Sequence, residues 1–451
     1  MAEGEDDSRL AEVRGWRKVI RFTLPTIISI LFISSYTVID GAFISNFVGT
    51  NALAAINLLM PLASLLSGFG FMFATGGSAY VANLLGQRKG DQARAAFSQI
   101  TLAVIIISLL ITAAGLLFMG DLVDLLGADS LLHPLSAEYG TVYVTFTVFL
   151  ILQFVFTQFL VVAGRPGMSL AVSIAGGVTN IVLDYLLIVV LDMGLTGAAI
   201  ASSLGSMVPV VASLYVFLNK DSSVHFVHPS KGGEAVVRSC TNGISEMVSE
   251  LSGGITILCY NLVMMDNLGA DGVSAITILS YVQFLSLSTI IGYSNGVAPV
   301  MSYNHGAGNH QGMQELLRIS TVFVMSVSLV IFVLLELFVP YIAGFFASSS
   351  EAVMEIAVNG AVIYSFGFLF IGMNVYASSL FTSLSNGLVS AVVSALHSLV
   401  LLSPMILLLP YLFGIGAVWY AMPLAQFVTF LVSMTLIIKY NGKYGYLPTC
   451  G

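Results

Sequence analysis

Twelve long apolar segments, separated by short polar breaks, run through this chain of 451 residues. Each is longer than the roughly 20 residues that a helix needs to cross the hydrocarbon core of a membrane. They lack the regular polar–apolar alternation of a membrane β-strand, so we predict membrane-spanning helices. The predicted spans, numbered one to twelve in chain order, are 20–46, 52–83, 95–120, 136–163, 168–191, 196–218, 236–265, 272–303, 316–346, 353–383, 387–411 and 415–439.

The composition agrees with a multi-pass membrane protein. Hydrophobic residues make up 57% of the chain and charged residues 8%, with a mean hydropathy of +0.96; ordinary soluble domains carry roughly 25% charged residues. The start, MAEGEDDSRL, lacks the apolar core and cleavage site of a signal peptide, so we expect the first span to direct insertion. Cys240, Cys259 and Cys450 have no disulfide or metal spacing, and we assign them no role.

The positive charges fix the orientation of the spans. All 15 Lys and Arg residues lie in or beside the breaks on one side of a twelve-span topology. The breaks on the opposite side carry Asp and Glu but no Lys or Arg. The positive-inside rule therefore places both termini in the cytoplasm.

The two halves of the chain are related by an offset of 220 residues. GTNALAAINLL at 49–59 aligns with GADGVSAITIL at 269–279, and the same offset pairs Gly86 with Gly306. Six spans in each half make parallel repeats about an axis along the membrane normal. This arrangement predicts alternating access of two lobes, with a duplicated structural scaffold as the alternative.

We therefore predict an all-α membrane protein with twelve transmembrane helices in two pseudo-symmetric six-helix lobes. The predicted regions are a cytoplasmic tail at 1–19, an N-lobe at 20–218, a cytoplasmic linker at 219–234, a C-lobe at 235–440 and a second cytoplasmic tail at 441–451.

Two aspartates stand out inside the N-lobe, Asp40 late in span one and Asp184 late in span five. No Lys or Arg lies at their depth, so each must hold a proton, bind a cation or meet a cationic substrate. Tyr36 shares a helix face with Asp40, and Asn180 shares one with Asp184. Alternatively, these polar groups only bond neighbouring helices. The offset of 220 pairs Asp40 with Tyr260, so the cluster is not repeated in the C-lobe.

Span seven carries a second pair of acids, Glu246 and Glu250, which are spaced i,i+4. We interpret them as candidates for cation or substrate coupling in the C-lobe. The alternative is a pair of solvated carboxylates near the helix end.

The cavity of such a protein would favour cations. A carrier of anionic lipid-linked sugars or nucleotides needs basic groups inside the membrane, and the spans offer none at depth. Carboxylates, aromatic rings and Met sulfur suit small amphipathic cationic drugs or toxins. We expect membrane lipid around the chain and no nucleic-acid partner.

Several segments, in order along nearly the whole chain, resemble the multidrug and toxic compound extrusion (MATE) transporters in their prokaryotic DinF-like and MepA-like branches. They are IDGAFISNFVGTNALAAINLLMP, GGSAYVANLLGQRKGDQA, AGRPGMSLAVSIAGGVTNIVLDYLLI, MGLTGAAIASSLG, GISEMVSELSGGI, NGVAPVMSYNHGAGNHQ and FGIGAVWYAMPLAQ.

This resemblance implies the MOP superfamily fold and a bacterial or archaeal inner membrane. It also implies an N-lobe site for H⁺ or Na⁺ at Asp40, Asn180 and Asp184, with Ser202 where the family has threonine. Serine keeps the hydroxyl oxygen, and oxygen ligands suit a hard cation such as Na⁺. The acid after Ser245 matches Glu246. We expect a monomer, and no cofactor beyond the coupling ion.

We therefore predict a secondary active multidrug efflux antiporter that is not an enzyme. One alternative is a lipid or oligosaccharide-lipid flippase of the same superfamily. A second is an intramembrane enzyme that uses Asp40 and Asp184 as a catalytic pair, although we find no motif for such chemistry.

Overall fold

The computed structural model describes residues 9–229, 232–346 and 350–447, and within them every regular element is a helix. In these ranges ten helices are long and apolar enough to cross a membrane, or eleven if Leu132–Thr145 and Thr147–Val162, bent by 52°, form one span. Lys231 and Cys450 lie outside the described residues.

One helix accounts for two of the predicted spans. Glu234–Gly306 has 73 residues, which would extend about 110 Å if straight, against a hydrocarbon core of roughly 30 Å. At Gly269 the backbone leaves the helical region, with φ 65° and ψ −153°. With the helix divided there and the bent pair counted as one span, the described residues contain twelve spans.

The spans keep their predicted numbers. They are span 1 (Trp16–Val48), span 2 (Thr50–Leu58 and Met60–Gly86), span 3 (Gly90–Leu125), span 4 (Leu132–Thr145 and Thr147–Val162), span 5 (Pro166–Val190), span 6 (Gly194–Phe217), span 7 (234–268), span 8 (270–306), span 9 (His310–Phe346), span 10 (Glu351–Ser383), span 11 (Gly387–Phe413) and span 12 (Ile415–Tyr444).

Several helices are longer than the apolar segments that predicted them. Span 1 begins at Trp16 rather than 20, inside the predicted tail, and span 9 begins at His310 rather than 316. A helix needs no apolar residues once it leaves the membrane, so charged first turns such as Arg17 and Lys18 extend it into water. The predicted division into tails, lobes and linker stays a prediction.

The backbone supports the offset of 220. Left-handed positions require glycine in most cases, because a Cβ clashes there. Three pairs of such positions lie 220 residues apart, namely Gly49 with Gly269, Arg88 with Gly308, and Gly194 with Gly414.

The hydrophobic cores follow the two halves, with one exchange. Buried side chains of spans 2 to 6 form the main core of the N-lobe, and those of spans 7 to 12 form the cores of the C-lobe. Val19 and Ile27 of span 1, however, pack into the C-lobe core, and Ala235 of span 7 packs into the N-lobe core. Spans 1 and 7 therefore join the two lobes.

All described Lys and Arg residues lie at one end of the bundle, which we call the basic face. Spans 2 and 8 touch backbone to backbone there. A Cβ added at Gly86 would lie 2.1 Å from the carbonyl oxygen of Tyr303, and one added at Gly306 would lie 2.1 Å from that of Asn83. Only glycine permits this approach, and it closes the lobes together at the basic face.

Candidate functional site

Close packing of spans 1 and 5 brings the two N-lobe aspartates together. Gly177 of span 5 leaves room for the ring of Tyr36, since an added Cβ would lie 2.8 Å from that ring and 2.5 Å from Phe32. Tyr36 and Gly177 each stand within two turns of an aspartate. The carboxyl groups of Asp40 and Asp184 consequently interact directly across the two helices.

Asp184 is fully buried, whereas Asp40 is half-buried. Among the described residues, no hydrogen-bond donor reaches either oxygen of Asp184 or the Oδ1 atom of Asp40. Two ionised carboxylates are acceptors only, so they cannot satisfy each other. A proton shared between the two carboxylates would supply the missing donor, and a bound cation would supply a positive charge for their oxygens.

The amide and hydroxyl predicted for this site also meet. Asn180 is buried at 3% exposure, and its Nδ2 atom donates to the Oγ atom of Ser202 at 3.5 Å. Gly205 of span 6 allows this, because an added Cβ would lie 2.8 Å from the Cβ of Asn180. The Oδ1 atom of Asn180 has no donor among the described residues. It therefore adds a fourth unpaired acceptor oxygen.

Two tyrosines of span 4 complete the cluster, and sequence reasoning missed them. Tyr139 is buried, interacts electrostatically with both aspartates and lies beside Ser202. Tyr143 stacks on Tyr139 with ring centroids 5.7 Å apart and faces Asp40. Their i,i+4 spacing near the start of span 4 was the available signal. Among 18 tyrosines, nothing local distinguished them.

Both aspartates are followed by a wide helical turn. A π-helix covers Ile44–Val48 after Asp40, and another covers Tyr185–Val190 directly after Asp184. Such turns are rare and occur often at functional sites, because they change the direction of the side chains that follow. Sequence reasoning did not predict these two turns.

This arrangement suits a small, hard cation. Within the described ranges, no group of three or more His, Cys, Asp or Glu residues forms a metal site. The N-lobe cluster instead presents carboxylate, amide and hydroxyl oxygens, which bind H⁺ or Na⁺ but are poor ligands for soft metals. The four unpaired oxygens belong to Asp40, Asn180 and Asp184, and the Na⁺ site predicted at these residues stays a prediction.

The second pair of acids lies elsewhere. Glu246 and Glu250 are on span 7, where Met247 and Glu250 pack against Gly68 of span 2. Both glutamates are partly exposed, and the charge of Glu250 acts on Glu246. They form a like-charged pair between the lobes, apart from the cluster of spans 1, 4, 5 and 6.

Known proteins resemble this chain over almost its whole length. The multidrug export protein MepA of Staphylococcus saprophyticus is 24% identical over 94% of this chain and 93% of its own. MepA of Staphylococcus aureus is 26% identical over the same shares. A solved MATE transporter of the MOP superfamily, in an outward-facing conformation, superposes with a TM-score of 0.89 at 21% identity, covering 97% of this chain and 99% of the other.

The MatE family model matches residues 25–186 and 255–407, which together make up more than half of the chain. The first matched segment contains Asp40, Asn180 and Asp184, and the second contains spans 8 to 10 with parts of spans 7 and 11. This chain therefore belongs to the MATE family of transporters, on its MepA-like branch, as its sequence motifs predicted.

Proposed function

We propose that the protein exports small amphipathic organic cations in exchange for H⁺ or Na⁺. The observation that carries the proposal is the N-lobe cluster, in which four buried acceptor oxygens of Asp40, Asn180 and Asp184 lack a donor. Leaving such groups unpaired costs about 1–3 kcal/mol each. A cation that binds there removes this free-energy cost. The cluster therefore suits a cation that binds and is released during transport.

The relatives support the class of cargo. MepA proteins are named multidrug export proteins, and the superposed structure is named a multidrug resistance transporter. Members of this family are transporters and not enzymes, so the alternative of an intramembrane enzyme was wrong. We propose multidrug export for this chain too, by a monomer in a bacterial or archaeal inner membrane.

Span 1 offers a physical link between the ion and the lobes. Its second half carries Asp40, while its first half packs against span 8 of the C-lobe. A Cβ added at Gly296 would lie 3.1 Å from the Cα atom of Thr23. Filling or emptying the site at Asp40 therefore acts on a helix that also holds the basic face closed.

The energy required is within reach of one ion. When one monovalent ion enters for each monovalent cargo that leaves, no net charge moves, so the concentration gradient of the ion drives export. A 50-fold ion gradient supplies about 2.3 kcal/mol, which corresponds to an accumulation ratio of roughly 50-fold. The acids Glu246 and Glu250, open between the lobes, attract a cationic cargo, and no described Lys or Arg lies deep enough to repel it.

Proteoliposomes test the proposal. We expect export of a fluorescent organic cation when an inward gradient of H⁺ or of Na⁺ is imposed alone, with one of the two ions effective. Asp40→Asn should abolish this transport while the protein inserts and purifies normally. Normal export by Asp40→Asn, or movement of a lipid-linked sugar but no cation, would contradict the proposal.

A further inference from the structure

A polar cavity of about 620 Å³ opens on the basic face, where the two lobes meet. Its wall has three parts. The ends of spans 2 and 8 contribute most of it, and the segment that precedes span 1 contributes Ala11 and Arg14. Because the wall comes from both lobes, the cavity exists only while the lobes are closed together on this side.

The cavity is strongly positive. Arg14, Arg88 and Lys89 line it, and no acidic residue is among its described lining residues. None of the three forms an ion pair with a carboxylate of the described ranges. Three exposed cations around one opening repel one another unless an anion lies between them.

The neutral polar groups of the wall are already engaged. Asn309 donates to Asn304 and accepts from the backbone of Gly312, and Gln87 donates to Asn83. These bonds hold the wall in place. The free donors that point to a ligand are therefore the guanidinium and ammonium groups, which bind phosphate oxygens best.

Arg88 stands in an unusual backbone position. Its φ is 60°, in the left-handed region that a residue with a Cβ seldom adopts, while its counterpart in the C-lobe is Gly308 at φ 65°. The N-lobe thus keeps an arginine where the fold alone favours glycine. Such strain persists at sites where the side chain serves a purpose.

The position of the cavity favours a soluble ligand. Gly86 and Gly306 touch at its wall and are related by the offset of 220, so the cavity lies on the axis between the lobes. That axis is the centre of the basic face, away from the lipid around the bundle. The positive-inside rule places this face in the cytoplasm.

We propose that this cavity binds a small soluble anion with two or more phosphate groups. The anion bridges Arg88 and Lys89 of the N-lobe and Arg14 beside the C-lobe, so it binds only when the basic face is closed. A ligand that binds one of two states shifts the equilibrium toward it. Cytoplasmic phosphates would then hold the transporter closed on that side.

Binding can be tested on the purified full-length chain without any transport assay, so its failure is distinguishable from failure of the proposed export. Sodium pyrophosphate is titrated by calorimetry, with chloride keeping the ionic strength constant. We expect saturable binding that weakens at least tenfold in the double variant Arg88→Gln with Lys89→Gln. The matched control, Lys220→Gln with Arg318→Gln, removes the same charge from exposed positions outside the cavity and should retain wild-type affinity.

Two further measurements test the source of the ligand and its effect on the conformation of the two lobes. Spin labels at Lys220→Cys and Arg318→Cys, in a chain whose three cysteines are serine, should show a larger population at the short distance when pyrophosphate is added. Equal loss of binding in both double variants would overturn the site. Absence of pyrophosphate binding would overturn the proposal that the ligand is a soluble anion. The same proposal would fail if nanodiscs of anionic lipid, and not pyrophosphate, stabilised the protein through Arg88 and Lys89.

Discussion

Each lobe buries a cluster of polar side chains among its helices, and the two clusters differ in their hydrogen bonds. In the C-lobe, Asn374 donates to the backbone and side-chain oxygens of Gln426 at 2.9 and 3.0 Å, and Ser433 donates to Asn374 at 3.1 Å. Gln426 donates in turn to the carbonyl of His397 at 3.0 Å. In the N-lobe, Asp184 has no donor among the described residues.

We infer that this difference separates a structural cluster in the C-lobe from the proposed cation site in the N-lobe. A network whose donors and acceptors are all paired fixes the packing of its helices and has no need of a ligand. A buried set of unpaired acceptors destabilises the empty protein and is relieved by a cation. The two lobes repeat the same helices, but of these two buried clusters only the one in the N-lobe contains acids.

The largest effect is expected from the unpaired cluster. Asp184→Asn keeps the shape of the side chain and removes its charge, so the cation loses a ligand. With a 50-fold gradient of the coupling ion imposed, we expect the cargo accumulation ratio to fall from roughly 50-fold to near one. Fluorescent-cation export from proteoliposomes measures this ratio.

The matched control is Asp192→Asn. Asp192 is exposed between spans 5 and 6 and has φ 50°, a conformation that asparagine also tolerates. Its export should equal that of the wild type. Equal losses in the two variants would mean that charge at the outer end of the bundle, and not the buried cluster, drives export.

A substitution in the hydrogen-bonded polar cluster of the C-lobe should lower stability and leave export intact. Asn374→Leu leaves Ser433 without its acceptor and the Gln426 side-chain oxygen without its donor, in a fully buried site. We expect the free energy of unfolding to fall by about 2 kcal/mol. Thermal unfolding measures the change, and export at a lower temperature should persist. Lost export with unchanged stability would reverse the roles of the two clusters.

The sequence predicted the half of the site that depends on rare residues. Asp40 and Asp184 were identifiable because an acid without a basic partner is exceptional in a membrane span. Asn180 and Ser202 followed from the family resemblance, since amides and hydroxyls occur throughout these helices. The spans and the repeat were also predictable, because apolar length and charge placement are written directly in the sequence.

The rest depends on tertiary geometry. Tyr139 joins the cluster only because span 4 bends at Phe146 and packs against span 6, and no residue pattern reports that bend. The π-helices after Asp40 and Asp184 lie inside the apolar segments of spans 1 and 5, where hydropathy does not distinguish a π-helix from an α-helix. The 73-residue helix likewise conceals two spans until Gly269 is seen to leave the helical region.

Tyr139 offers a way to sharpen the boundary of the functional cluster. Tyr139→Phe removes a hydroxyl beside Ser202 and both aspartates while keeping the ring that stacks on Tyr143. One hydrogen bond to a charged site is worth about 1.5 kcal/mol, so the coupling ion should bind roughly tenfold more weakly. The half-maximal ion concentration for export measures this. An unchanged value would limit Tyr139 to packing.

A smaller effect is expected from the acids between the lobes. Glu246 is partly exposed, and an exposed charge contributes about 0.2–1 kcal/mol to an ionic contact. Glu246→Gln should therefore raise the KM for a cationic cargo roughly threefold and leave the half-maximal ion concentration unchanged. Glu355→Gln, at an exposed position in span 10, is the control. A shift in the ion dependence would place Glu246 in coupling instead.

The smallest effect concerns Tyr260, which stands in the C-lobe where the N-lobe has Asp40. It is 3% exposed, and its hydroxyl has no hydrogen-bond partner among the described residues. Tyr260→Phe removes an unpaired polar group and keeps the ring among its apolar neighbours. We expect the free energy of unfolding to rise by about 0.5–1 kcal/mol and export to stay unchanged. Since an unpaired hydroxyl alone does not bind a cation, a loss of export in this variant would show that the C-lobe position carries function as well.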